Sequence, residues 1–190
     1  LGDCTTGPSA VMVELAEAMI DRSKHADWAL FCKNGSDATT ISLMIARTQT
    51  GRKTILKGKG TYHGVDPWCN PMPFGITQEE QENIITFAYN DVASLEAAVA
   101  EAGDDLAAII VTPNLHEVFV PQQLVTMEFA ARARALCDEK NAALILDDVR
   151  CSYRFSLGST WETIGVLPDL CAMGKTLANG YALSAVTGSN

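Results

Sequence analysis

Three places in the sequence put a chemically useful side chain directly after an apolar run. "WALFC" (28–32) is followed by Lys33, Asn34, Gly35 and Ser36. "AALIL" is followed by two carboxylates, Asp147 and Asp148, and "DLCAM" by Gly174, Lys175 and Thr176. At the first place, glycine lets backbone approach a ligand closely. Free N–H groups at a helix start, with the Ser36 hydroxyl, would then form an anion cradle. The same residues also suit an ordinary N-cap. At the second, Val149 continues the apolar run past the charges, so Asp147 reads as an acid able to pair with a buried cation as well as a strand reaching the surface. At the third, "GKT" suggests a P-loop, but that motif needs glycine five residues before Gly174, where Asp169 stands; the P-loop is excluded. Lys175, flanked by Gly174 and Gly180, is either an exposed loop lysine or a reactive amine made nucleophilic by burial. A fourth stretch, "TYHG" (61–64), offers Tyr62 to cover a flat ligand or simply to pack, with His63 beside it.

Together these residues describe one chemistry. A phosphate cradle, a stacking aromatic, an acid for a ring nitrogen and an amine for an aldehyde are what pyridoxal 5′-phosphate requires. On this reading Lys175 forms the Schiff base, and Asp147 keeps the pyridine nitrogen protonated so that the ring accepts electrons from a substrate carbon.

The elements that must position these groups alternate. Residues 8–24 read as a helix with Val11, Leu15, Ala18 and Met19 on one face. Residues 37–50 read as a second, with Ile41, Met44, Ile45 and Thr48 in register and Gly51 as the stop. Asn90 or Asp91 caps a third, carrying Val92, Leu95, Val99 and Ala102 on one side. Residues 123–140 read as a fourth, with Val125, Phe129, Ala133, Leu136 and Cys137 inward. Strands are expected at 28–32, 53–57, 83–88, 106–112, 142–147, 169–174 and 183–188, and a long loop at 60–82. Several of these strands are apolar throughout, as strands buried on both faces are. The expected fold is therefore α/β, a mostly parallel sheet flanked by helices in three layers, with ligands at the carboxyl ends of the strands.

Composition narrows the partners. A chain of 190 residues, 47% hydrophobic, can build one substantial core. Its net charge of −9 argues against a nucleic-acid backbone as ligand. No apolar run approaches a membrane span, and no secretory signal opens the chain, so the Asn-Gly-Ser sequon at 34–36 is discounted. None of the six cysteines forms a CxxC pair, and several lie in apolar runs; they read as reduced core cysteines of a cytoplasmic protein. His25, His63 and His116 are too scattered for a metal cluster. The chain begins at Leu1, not Met, and the expectation is a segment of a longer protein.

The ordered set of motifs resembles the class III aminotransferases among the fold type I pyridoxal-phosphate enzymes, on the side of glutamate-1-semialdehyde 2,1-aminomutase. The likeness runs through "NGSDATTISLMIARTQTGR", "KGTYHGVDPW", "FAYNDVASLEAAV", "ARALCDEKNAALILDDV" and "VLPDLCAMGKTLANGYALSAVTG". It implies that Lys175 is the Schiff-base lysine and proton carrier. It further implies that Asp147 pairs with the pyridine nitrogen, Val149 packs on one ring face, and Tyr62 stacks on the other with His63 beside it. Gly35 and Ser36 would hold the phosphate, next to Asn34; Asn90 matches a family position of less definite role. The resemblance also implies that residues 1–190 are part of the large domain, without the family's N-terminal segment and C-terminal small domain. It implies a homodimer with the active site at the interface.

The implied activity is transfer of an amino group between an amino compound and a keto acid or aldehyde. Intramolecular transfer, as in the aminomutase, and a catalytically retired binding protein are the alternatives. A nucleotide-binding enzyme would want a Gly-rich turn after the first strand, which "CKNGSDA" supplies poorly. Three departures from the family pattern stand out. Asp148 replaces the usual Glu, Thr112 replaces the Glu before Pro113, and "RCSYRFSLGS" replaces the usual Gly-Phe pattern, so Arg150, Tyr153 and Arg154 are expected to alter the substrate entrance.

Overall fold

The computed structural model describes residues 7–72, 74–115 and 121–190; Cys4 and His116 lie outside them. Seven strands form one sheet: β1 (Trp28–Cys32), β2 (Thr54–Gly58), β3 (Ile84–Phe87), β4 (Leu106–Val111), β7 (Ala143–Asp147), β8 (Leu170–Met173) and β9 (Ser184–Gly188). Between β4 and β7, the short β5 (Asn114–Leu115) and β6 (Gln123–Leu124) pair with each other. The order across the large sheet is β1-β9-β8-β7-β4-β2-β3. Neighbours from β8 to β3 are parallel, whereas β9 is antiparallel to both β8 and β1. The reversal has a simple cause. The connection 174–183 is shorter than the roughly dozen residues a parallel crossover needs, so the chain can only turn back.

Four helices, α1 (Ala10–Ile20), α2 (Gly35–Thr50), α3 (Val92–Ala102) and α4 (Met127–Lys140), cover the sheet. Strand alternation sorts the core into two layers. Leu144 and Leu146 of β7 join Ile109 of β4, Leu95 of α3 and Phe129 of α4 on one face. Ile145 joins Ile110 and the α2 residues Ala38, Leu43 and Ala46 on the other. The α3 and α4 stripes are as expected, with Leu95, Val99, Ala102, Phe129, Ala133, Leu136 and Cys137 buried.

Two stripes differ from expectation. In α2 the fully buried residues are Ala38, Thr39, Ser42, Leu43 and Ala46, while Met44 is 60% exposed. Small side chains let this helix lie close on the sheet, and Thr39 and Ser42 hand their hydroxyl protons to carbonyls, so burying them leaves no polar group orphaned. In α1 only Met19 is buried and Val11 is 70% exposed. The fourth helix begins at Met127, because 123–124 are extended in β6 and Thr126 caps the helix through Phe129 N–H. Cys32, Cys69, Cys137 and Cys171 are free thiols. Among the described residues there is no metal-binding cluster and no helix long and apolar enough to cross a membrane.

Candidate active site

The carboxyl ends of β1, β2, β4, β7 and β8 surround a cavity of about 520 Å³. Its lining includes Asn34, Gly35, Ser36, Tyr62, His63, Asp147, Val149 and Lys175, so the residues expected to surround the cofactor reach the same space, whereas Tyr153 and Arg154 are not among its lining. Lys33, Thr112, Arg150 and Tyr181 complete much of the wall. Asn90 lies elsewhere. Its side chain accepts from Thr126 N–H and donates to the Leu124 carbonyl, tying the entrance of α3 to that of α4.

The residues expected to cradle an anion form the first turn of α2. Asn34 caps the helix by accepting Asp37 N–H at 3.1 Å, and its amide donates to the Asp37 carboxylate at 2.9 Å. The capping reading of Asn34 therefore holds. It leaves the Gly35 and Ser36 N–H groups, which have no partner within the helix by construction, facing the positive end of a sixteen-residue dipole. Ser36 Oγ accepts Val65 N–H at 3.1 Å and keeps its own proton to donate. That bond also draws the 61–65 loop down over the cradle.

The two adjacent acids part company, because successive side chains at a strand end point to opposite faces. Asp148 is fully buried away from the cavity, accepting Thr160 N–H and Thr160 Oγ1–H, each at 2.7 Å. Burial pushes its carboxyl up to about 7, against the pull of the Thr160 bonds. Asp147 turns to the cavity wall, where its Oδ2 lies 2.7 Å from His63 Nδ1. Thr61 commits its only hydroxyl proton to the Gly58 carbonyl at 2.6 Å. His63 Nε2, 2.9 Å from Thr61 Oγ1, must therefore be the donor there. One further proton is then shared between Nδ1 and Asp147. His63 also stacks on Trp68, ring centroids 6.0 Å apart, which fixes the plane of the imidazole. The Gly58–Thr61–His63–Asp147 chain was not visible in the sequence; the only signal was that Thr61 and His63 share one face of an extended tetrapeptide.

Val149 is wedged between two glycines. A Cβ on Gly35 would stand 2.7 Å from Val149 Cγ1, and one on Gly174 3.2 Å from it. Both glycines are thus required by close approach, and Val149 locks the cradle to the turn that carries Lys175. Lys175 has φ of 44°, a left-handed conformation disfavoured for a side-chain-bearing residue, at the head of the short helical turn Lys175–Ala178. It is exposed where it lines the cavity, the exposed one of the two readings the sequence left open. Tyr62 is 52% exposed at the rim.

A cradle for an anion, a held carboxylate, a presented amine and an apolar wedge fit a flat phosphorylated aldehyde. The profile of the family described as aminotransferase class-III matches residues 5–190. The chain belongs to the class III aminotransferases. Among members of this family, the aminopentol aminotransferase of Sphingopyxis macrogoltabida is 50% identical over 190 residues, covering 100% of this chain and 45% of the relative. The branch suggested by the motifs matches at lower identity: the glutamate-1-semialdehyde 2,1-aminomutase of Rhodopirellula baltica is 34% identical, over 95% of this chain and 44% of that protein. Among solved class III structures, the PLP-containing FumI protein of Sphingopyxis sp. MTA144 superposes with a TM-score of 0.96 at 49% identity, over 100% of this chain and 46% of its own. The chain thus spans a little under half the length of the relatives it matches.

Proposed function

We propose that this chain is part of the large, cofactor-binding domain of a pyridoxal-phosphate aminotransferase. The observation that carries the reading is convergence: a held acid, a presented lysine and a helix N-terminus, from elements far apart in sequence, line one cavity. Pyridoxal phosphate, when bound, supplies an electron sink for the substrate's alpha carbon. The chain's residues do the rest. The Gly35 and Ser36 N–H groups, with the Ser36 hydroxyl, bind the phosphate beside Asn34. Asp147, braced by His63, holds a proton at the ring nitrogen. Val149 and Tyr62 close on the two ring faces and exclude water. Lys175 supplies the amine for the aldehyde and then carries a proton to and from the reacting carbon through its Nζ.

The reaction is transfer between an amino compound and a keto acid or aldehyde. Aminopentol, on which the 50% identical relative acts by name, is the first donor to test. Likeness to the aminomutase keeps intramolecular transfer as a second reading; turnover without a separate acceptor would favour it. A homodimer with the cavity at its interface is supported by exposed apolar groups at the rim, Tyr62 and the 83%-exposed Tyr181. The free thiols of Cys32, Cys69, Cys137 and Cys171 support a reducing, cytoplasmic setting. The test is the near-visible spectrum of the full-length protein with pyridoxal phosphate, beside Lys175→Ala. A band that shifts on adding amines and is lost in the variant is expected; a folded protein without it would sink the reading.

A further inference from the structure

We infer that Arg150 is a specificity-determining residue whose guanidinium receives the carboxylate of a keto-acid substrate in the cavity. This deepens the proposed amino-transfer reading and rests on it. Six of the seven arginines have their guanidinium engaged. Arg22 and Arg47 donate to backbone carbonyls, Arg52 to Leu106 and Lys140, and Arg154 to the carbonyl of Arg150. Arg132 bonds Glu96 and Glu139, and Arg134 bonds Asp169. Among the described residues, the Arg150 guanidinium alone donates to nothing and pairs with no carboxylate.

It is also placed. Arg150 lines the same cavity as Lys175. Its main chain is fixed on both sides: Cys151 is 2% exposed, with its N–H on the Asp148 carbonyl at 3.0 Å and its thiol on Asn114 Oδ1 at 3.2 Å, and Arg154 Nε holds the Arg150 carbonyl at 2.8 Å. A pinned backbone with an uncommitted planar fork is a preorganised carboxylate receptor. The other cationic linings have tasks already. Lys33 stands at the phosphate cradle and Lys175 at the reacting carbon, while Asp147 is engaged by His63. Arg150 is the cation left for the substrate.

The experiment uses the full-length holoenzyme with two acceptors, pyruvate and propanal, which differ in the carboxylate, and two variants, Arg150→Gln and Arg150→Lys. Losing a charge-assisted pair should lower kcat/KM for pyruvate about 10- to 100-fold, mostly through KM, with propanal unchanged within about twofold. Arg150→Lys should restore part of the loss. Calorimetric binding of propionate, an unreactive carboxylate, should weaken about tenfold or more in Arg150→Gln, a readout independent of turnover. Equal losses for both acceptors, unaltered propionate binding, or a changed spectrum of bound cofactor without altered selectivity would each overturn the inference. A wild-type protein with no cofactor band would bring down the amino-transfer reading itself, and the inference with it.

Discussion

The two ends of the same sheet treat charge in opposite ways. At the amino ends of the strands, Arg52, Asp105, Arg134, Asp138 and Asp169 are all matched. Arg52 donates to the Leu106 and Lys140 carbonyls. Asp105 accepts Lys53 N–H and the Thr54 hydroxyl, and Asp169 takes Leu144 N–H at 2.6 Å and Arg134 at 2.8 Å. A shallow hollow of about 550 Å³ lies there, lined by Arg52, Arg134, Asp138 and Asp169, with each charge already engaged. At the carboxyl ends, Lys175 sits on a strained backbone, Arg150 has no acid, and glycines 35 and 174 make room for a wedge. Cavity volume does not separate the two ends. What separates them is whether the polar groups have already found each other.

That contrast can be broken by substitution. The largest effect is expected at Lys175→Ala in the full-length protein: amino transfer falls by at least ~10²–10⁴-fold from the proton-carrying role alone, with the folded circular-dichroism signal unchanged. Survival of turnover would erase the distinction between the two ends. Next, Asp148 ties the carboxyl end to pH. Its carboxyl rises from an ordinary 3.8 to about 7 on folding, so the native state binds the extra proton between those values. The Asp148 contribution to stability is therefore complete below about pH 4 and is lost as pH rises through about 7, on the order of a few kcal/mol. Urea titrations at successive pH values should show this slope in the parent and not in Asp148→Asn. A smaller effect follows from Gly35→Ala. Overpacking against Val149 should cost about 1–3 kcal/mol and weaken retention of pyridoxal phosphate on dialysis. The smallest is at the other end: Asp169→Ala orphans Leu144 N–H and should cost about 1–2 kcal/mol in denaturant midpoint. Turnover per folded molecule should stay the same; a fall in kcat would show that the two ends are coupled.

Much of this was written in the order of the residues. Apolar runs located all seven strands of the large sheet within a residue or two, because the central strands β4, β7 and β8, covered on both faces, need mostly apolar side chains. The site residues were legible because glycine, acid and lysine each followed such a run, and strand ends are where a doubly covered sheet opens. Long-range polar geometry was not legible. That His63 would reach Asp147, or that Asp148 would face away to Thr160, depends on how β2 and β7 sit across β4, and no local pattern encodes that. The burial of α2 was misread for a related reason. Hydrophobicity pointed to Met44, whereas the sheet accepted Ala38, Ser42 and Ala46, where close approach counts for more than apolar area.

The reversed strand β9 carries a consequence for how the molecule is made. Among the described residues β1 has its sheet partner only in β9, and Ser184 at the start of β9 donates to the Asn34 carbonyl at 2.6 Å, at the head of α2. During synthesis β1 therefore waits for β9, and the closure entropy of the chain between them must be met before the pairing rewards it. The first turn of α2 leaves the ribosome well before the strand that braces it. Until β9 arrives, the unpaired β1 edge is a segment open to misassembly.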